Sequence, residues 1–162
     1  NAVEYIVRPR PHVMKRWLLI IGAILAVGVV ILIATLPGAK RHAQSLNCRS
    51  QMYGILFAAT LWSADNGGRL PSDFLSMTNE LSTPRILVCP ADGKRKAALN
   101  FESLQPENVS YQIRAGTNVT ETNPQEILAV CPIHYNVGLC DGSVQGFSKT
   151  RFQEMLKRGQ MP

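Results

Sequence analysis

Hydrophobic positions follow two different patterns along the chain, and the change falls near residue 37. Residues 17–36 form an uninterrupted apolar run without a single charged side chain. Twenty helical residues span about 30 Å, the thickness of a hydrocarbon core, and lipid offers the backbone no other hydrogen-bonding partner. We therefore predict a transmembrane helix, with Trp17 at one interface, Leu36 at the other, and Gly22 and Gly28 allowing a neighbouring helix to approach closely.

A cleaved signal peptide is the alternative for this run, with Met14, Lys15 and Arg16 as its start. Its apolar core would exceed the usual length of roughly 7–15 residues, so a retained anchor is favoured.

From residue 39 to residue 65 the apolar side chains recur at helical spacing. Pro37 and Gly38 should end or kink the membrane helix, because proline lacks a backbone donor and clashes with the preceding turn. The expected buried face of the second, amphipathic half comprises Leu46, Tyr53, Leu56, Phe57, Ala59 and Trp62. The sequence Asp65-Asn66-Gly67-Gly68 supplies the stop, since glycine tolerates the left-handed conformation of a helix end.

Beyond residue 68 the pattern becomes one of short elements. We predict a short helix over 72–81 capped by Ser72, and a final helix over 151–158 capped by Ser148 or Thr150. Strands are predicted at 85–89, 109–113, 127–130, 137–140 and 143–147, with loops over 94–107 and 117–124. Asp141-Gly142 predicts a two-residue hairpin turn between the last two strands.

A long helix followed by short antiparallel strands predicts an α+β fold, in which the sheet packs on the amphipathic half of the helix. The predicted organisation is an N-terminal tail over 1–16, a transmembrane helix over 17–36 and an α+β domain over 37–162.

The distribution of charged residues indicates how the predicted membrane helix is oriented. Only 17% of residues are charged, against roughly 25% in ordinary soluble domains, and the net charge is +6. The basic residues flank the apolar run or lie in scattered pairs, which does not favour nucleic-acid binding. Four of them precede the run and three follow it closely: Arg8, Arg10, Lys15, Arg16, then Lys40, Arg41 and Arg49. This bias slightly favours a cytoplasmic N-terminus, and four cysteines in a short domain suit an oxidising compartment on the other side.

The cysteines carry the candidate chemistry. Cys89 and Cys131 each precede a proline at the end of a predicted strand, and a disulfide between them would be worth about 4 kcal/mol. Cys48 and Cys140 could form a second bridge or stay free. Zinc is an alternative, with Cys89, Cys131, His134 and Cys140 as a Cys3His set, although no Cys-x-x-Cys pair is present.

No motif of a hydrolase, a phosphate-binding loop or a metalloprotease is found. His134 is expected to cap a turn or to bond a backbone carbonyl, and Asp141 with Gly142 to form a turn, with calcium binding at Asp141 as a weaker alternative. We therefore predict a protein that is not an enzyme and has no cofactor.

Six short stretches give the chain a family resemblance, namely residues 36–48, 62–71, 87–92, 108–111, 131–134 and 139–144. In order and spacing they resemble the bacterial pseudopilins and prepilin-like proteins of type II secretion and type IV pili, in particular those with a C-terminal His…Asp-Gly motif. The resemblance implies a membrane helix continuing into a periplasmic head with a small antiparallel sheet, anchored in the inner membrane.

The N-terminal part departs from the prepilin pattern. Lys15-Arg16 is followed by Trp17 without a Gly-Phe junction, and the apolar run holds no glutamate. Two functions follow. The first is an accessory structural subunit, which docks to a larger inner-membrane complex through its transmembrane helix and its tail over 1–13. The alternative is a pseudopilin that forms a filament of its own copies.

Overall fold

The computed structural model describes residues 11–114 and 122–158, with side chains from residue 15 onward. Most of the predicted tail and most of the predicted loop over 117–124 lie outside the described residues. The chain divides into two compact units, Asn1–Arg41 and His42–Pro162. Each unit is described by itself.

In the first unit, the apolar run is a helix that presents its side chains to the outside. It is part of helix α1, Pro11–Asp65, and every residue from 17 to 36 is exposed. The most apolar 18-residue window has a mean hydropathy of 3.0, so by length and composition the helix is able to cross a membrane. Pro37 lies inside α1 and does not end it. Trp17 and Leu36 are 61% and 55% exposed, at the two ends of the run.

In the second unit, the remainder of α1 turns a narrow stripe towards the core. Its fully buried members are Cys48, Met52, Ile55, Leu56, Ala58 and Ala59. The broader predicted face was wrong at three positions, since Leu46, Tyr53 and Phe57 are each about half exposed or more. A single helix can bury only the stripe that faces its partner, and these three residues lie on another side.

The helix ends where the glycines predict. Asn66 and Gly68 both donate backbone hydrogen bonds of 3.0 Å to the carbonyl of Ser63, and Gly67 and Gly68 have φ angles of 67° and 79°. Glycine reaches this conformation without a steric penalty, which explains the stop at Asp65.

Two predicted elements between α1 and the sheet were wrong. Residues 72–81 form consecutive turns and not a helix, because Asp73 binds the backbone N–H of Ser76 at 2.8 Å and so competes with helical hydrogen bonds. Residues 85–89 are not a strand. Pro84–Leu87 is a 3-10 helix, with Thr83 accepting a hydrogen bond from the backbone of Arg85. A cap followed by proline in the first turn favours this tight helix over extended backbone.

The sheet is a four-stranded antiparallel meander in the order β1-β2-β3-β4. Its strands are β1 Gln112–Ile113, β2 Ile127–Cys131, β3 Asn136–Leu139 and β4 Val144–Gly146. The α+β class is thereby confirmed, as are strands close to the four positions predicted after residue 108. The first of them is much shorter than expected.

The two faces of the sheet are both covered. Leu128, Ala129 and Cys131 belong to the core that contains the α1 stripe, whereas Val130 and Val137 pack with Phe152 of helix α2, Lys149–Lys157. Ser148 caps α2 by accepting from the backbone N–H of Arg151, in agreement with one of the two predicted caps. Because helices cover both sides, β2 is buried along its whole length.

The turn between β3 and β4 is longer than the predicted two-residue loop. Leu139 pairs with Ser143, and Gly142 donates to the Leu139 carbonyl at 3.0 Å with a φ of 82°. A four-residue β-turn therefore ends in a left-handed glycine, which makes a three-residue hairpin loop. Asp141 Oδ1 accepts from the backbone N–H of Ser143 at 2.8 Å and so stabilises the turn.

Gly138 allows α1 and β3 to approach each other closely. A Cβ at this position would lie 2.9 Å from both methyl carbons of Leu56, a side chain only 1% exposed. We expect Gly138→Ala to lower the free energy of unfolding by about 1–3 kcal/mol, because the core cannot absorb the added volume without strain. Urea unfolding followed by near-ultraviolet circular dichroism would measure this.

Gly93→Ala is the matched control, since a Cβ there would meet nothing within 4 Å. Equal stability of the two variants would show that the contact between α1 and β3 is not tight.

Candidate metal centre

Three cysteines and one histidine from distant parts of the chain meet at one end of the core. The sulfur atoms of Cys48, Cys89 and Cys131 and a ring nitrogen of His134 all lie within 4.8 Å of one another. The three cysteines are at most 1% exposed, and His134 is partly exposed. We refer to these four residues as the Cys3His cluster.

Helix α1 supplies Cys48 through its buried stripe. Cys48, Met52, Ile55 and Ala59 follow one another at intervals of four, three and four residues, which places them on one side of the helix. Cys48 is therefore held in the core by the same packing that positions the helix against the sheet.

Cys89 lies in a tight turn that follows the 3-10 helix. The backbone N–H of Asp92 donates to the Cys89 carbonyl at 2.8 Å, and the backbone N–H of Ala91 donates to the Cys89 sulfur. Gln44 of α1 adds a hydrogen bond of 2.9 Å from its Nε2 to the Pro90 carbonyl. The turn thus directs the sulfur back towards α1.

Cys131 lies directly before the turn of the β2–β3 hairpin, and His134 lies within that turn. Cys131 is the last residue of β2 and pairs with Asn136, and the intervening Tyr135 has a positive φ of 56°. This turn brings both side chains to one side, although an extended strand would have separated them. His134 Nδ1 lies 3.2 Å from the Cys89 sulfur, so the expected bond to a backbone carbonyl is replaced by a contact with a thiol.

Polar groups surround the cluster. Asn136, only 2% exposed, donates from Nδ2 to the Cys48 sulfur at 3.3 Å, and the backbone N–H of His134 donates to the Cys131 sulfur. The Tyr111 hydroxyl lies 3.6 Å from the Cys48 sulfur and 2.9 Å from Gln51 Oε1.

These contacts favour negative charge at one sulfur. Hydrogen bonds from Cys131 and Cys89 lower the pKa of Cys48 in spite of its burial, and Tyr111 and Asn136 act in the same direction. The pKa of Cys131 is raised, first because it donates to Cys48. The hydrogen bonds among the thiols therefore favour ionisation of Cys48 over that of Cys131.

The predicted disulfide between Cys89 and Cys131 is not formed, and all four cysteines are free. The predicted zinc set was wrong in one member, since Cys48 stands in the cluster where Cys140 was expected. Cys140 is also buried, and burial raises its pKa to about 11. Its suggested pairing with Cys48 is likewise absent.

The remaining predicted site residues lie elsewhere. Asp141 and Gly142 form the β3–β4 turn described above, which agrees with their predicted role. A Cβ at Gly22 or Gly28 would meet nothing within 4 Å, so both glycines leave the surface of α1 open.

Two signals in the sequence point to the cluster. Cys131-Pro-Ile-His134 is a close pair of ligand types, comparable in spacing to the Cys-x-x-Cys pairs of zinc sites. Cys48 is the first member of the buried helical stripe, but the wider predicted face obscured it. The convergence of helix, turn and hairpin depends on tertiary structure and carries no local signal.

Comparison of the chain with protein-family models, with curated proteins and with solved structures gives no significant match.

Asp92 stabilises the turn that holds Cys89. Its side chain is 4% exposed and accepts from the Ser110 hydroxyl at 2.8 Å and from Arg95 Nη1 at 3.0 Å. Burial opposes ionisation, but these bonds, together with those from the backbone N–H groups of Lys94 and Arg95, outweigh it and lower the pKa of Asp92 to about 2.

A carboxylate with a lowered pKa stabilises the fold above its unfolded pKa, near 4, and loses this contribution as the pH falls towards 2. We expect Asp92→Asn to cost about 2 kcal/mol at pH 7 and progressively less between pH 4 and pH 2. Urea unfolding at several pH values tests this, with Asp65→Asn at the exposed end of α1 as the control. A cost for Asp92→Asn that does not change with pH would contradict the assignment.

Proposed function

We propose that the protein is a single-pass, membrane-anchored structural subunit, without catalytic activity, which docks to a larger membrane complex. The observation that carries this proposal is the run of twenty uncharged residues in α1, all of them exposed. Apolar surface of this extent is costly in water and is stable in lipid. Together with the resemblance to pseudopilins, it supports an anchor in the bacterial inner membrane.

A second apolar surface supports docking by the head. Leu46, Tyr53, Phe57 and Leu61 are between 44% and 65% exposed, and they recur at intervals of seven, four and four residues along α1. We call them the exposed stripe. The other exposed positions on this side are Ser50, Thr60 and Ala64. Arg49, which lies between Leu46 and Tyr53 along the helix, is partly buried and donates from its guanidinium to the Val144 carbonyl at 3.3 Å.

The form of the exposed stripe suits another helix as its partner. From Leu46 to Leu61 the helix rises by about 22 Å, and a row of large side chains on one helix packs into the grooves of a second. The partner we infer is therefore a helix of an unlike subunit in the same membrane complex. A second copy of this chain, as in a filament, is the alternative that the docking experiment distinguishes.

The proposed orientation places the N-terminus in the cytoplasm and the head in the periplasm. The support is the basic bias before the apolar run and the resemblance to pseudopilins. The cysteines no longer contribute, since the argument for an oxidising compartment assumed disulfides and the four thiols are free.

If the apolar run is a membrane anchor, the protein should resist alkaline extraction from membranes. Full-length protein in membrane vesicles should remain in the pellet after a carbonate wash. Each arginine near the centre of the span costs about 2.5–3.5 kcal/mol, so the double variant Ile24→Arg, Val27→Arg should pass into the supernatant. The variant Ile24→Leu, Val27→Leu is the control. Release of the unchanged chain would refute the anchor.

Because the exposed stripe is the proposed docking surface, a charged substitution within it should release the protein from its complex. After gentle detergent extraction and native separation, the unchanged chain should migrate in a complex with unlike subunits, and Phe57→Glu should migrate apart from it. Leu99→Glu is the matched control, because Leu99 is 98% exposed and lies outside the stripe. Migration as a homopolymer would favour the filament, and a complex unaffected by Phe57→Glu would exclude the stripe as its interface.

A further inference from the structure

We propose that Cys48, Cys89, Cys131 and His134 bind one zinc ion in a closed, four-coordinate structural site. The proposal rests on the geometry of the cluster and is independent of the function of the membrane anchor.

The ligand set is of the kind that zinc prefers. Three thiolates and one imidazole form a complete tetrahedral shell, with zinc–sulfur distances near 2.3 Å and zinc–nitrogen distances near 2.0–2.1 Å. Such a shell places neighbouring ligand atoms about 3.5–3.8 Å apart. The four atoms already lie within 4.8 Å of one another, so a contraction of about 1 Å completes the shell.

Each sulfur also has an N–H donor directed at it. Asn136 Nδ2 donates to Cys48, the Ala91 backbone to Cys89, and the His134 backbone to Cys131. Outer hydrogen bonds of this kind orient metal ligands and compensate the charge on thiolates. The Ala91 and His134 N–H groups belong to the turns that directly follow Cys89 and Cys131, whereas Asn136 reaches Cys48 from a different element of the fold.

A disulfide accounts for the arrangement less well than a metal does. A disulfide would join two of the three sulfurs. The third sulfur and its N–H donor would then lie beside the bridge without taking part in it. The histidine would also have no role, although its ring nitrogen lies 3.2 Å from the Cys89 sulfur. A metal ion uses all four groups.

The binding step involves no oxidation or reduction. Zinc enters as the dication, the three S–H bonds break, and three zinc–sulfur bonds and one zinc–nitrogen bond form. The three protons of the thiols pass to solvent. Because the ligands come from α1, the Cys89 turn and the β2–β3 hairpin, bound metal joins the three parts that enclose this end of the core.

The test measures metal in the full-length protein, purified in detergent under reducing conditions and supplied with zinc. We expect one zinc per chain by elemental analysis. Cobalt in place of zinc should give the intense visible bands of tetrahedral coordination together with thiolate charge-transfer absorption. A folded chain that takes up no metal would overturn the proposal, as would an intact mass two protons lower that reveals a disulfide.

Cysteine variants assign the ligands. Cys131→Ser should weaken cobalt binding by more than about 100-fold, beyond the roughly 10–100-fold loss typical of an outer-shell change. Cys140→Ala is the matched control, because Cys140 is equally buried and free but stands outside the cluster. An equal loss in both variants would overturn the assignment.

Histidine variants distinguish the loss of a metal ligand from a loss of metal binding that is caused by misfolding. His134 lies in a hairpin turn and is partly exposed, so its replacement disturbs the core least. His134→Ala should weaken cobalt binding, whereas His134→Cys should retain one metal per chain and strengthen the charge-transfer absorption through a fourth sulfur. Unchanged affinity and spectra in both variants would exclude His134 as a ligand and overturn the four-coordinate site.

Discussion

The packing of one stripe of α1 against the sheet is the constraint on which the head depends. Met52, Ile55 and Leu56 are almost completely buried, and Leu56 sits where Gly138 leaves room for it. Burial of each such side chain is worth roughly 1.5–3 kcal/mol, so the stripe supplies a large part of the driving force for folding. It also determines which side of the helix remains exposed, including Tyr53 and Phe57.

The same packing explains how the residues of the Cys3His cluster come together in a small domain. Cys48 continues the stripe by one turn towards the N-terminus, and the strands that cover the stripe end in Cys131 and the His134 turn. Prolines follow both Cys89 and Cys131 and interrupt regular hydrogen bonding directly after each sulfur. Cys131 ends β2 and Cys89 follows the 3-10 helix by two residues, so both lie beside turns that bring them close to Cys48 in the middle of α1.

The sequence was sufficient for the coarse fold, because its strongest signals are local. The apolar run, the glycines after Asp65, the short apolar stretches of the last strands and the cap at Ser148 each depend on neighbouring residues alone. Pilin likeness itself stays a prediction. The predictions of secondary structure that were wrong concern segments in which two local backbone preferences compete. Asp73 favoured turns over a helix, and Thr83 with Pro84 favoured a tight helix over a strand.

The candidate site was predicted in part. Cys89, Cys131 and His134 were recognised as possible ligands, but Cys140 was chosen in place of Cys48. That choice depends on which side of α1 meets the sheet and on how the β2–β3 turn folds, and both are properties of the assembled core. A broad helical face that included Leu46 and Phe57 concealed the narrower stripe on which Cys48 lies.

The pairing of β2 with β3 gives the four ligand groups a further significance. Side chains alternate between the faces of a sheet, so a slip of one residue would move the Cys131 sulfur to the side occupied by Phe152 and Val137. Only the native register brings the four groups together. Their convergence therefore depends on the correct pairing of β2 with β3, and any property of the Cys3His cluster is lost when that register is wrong.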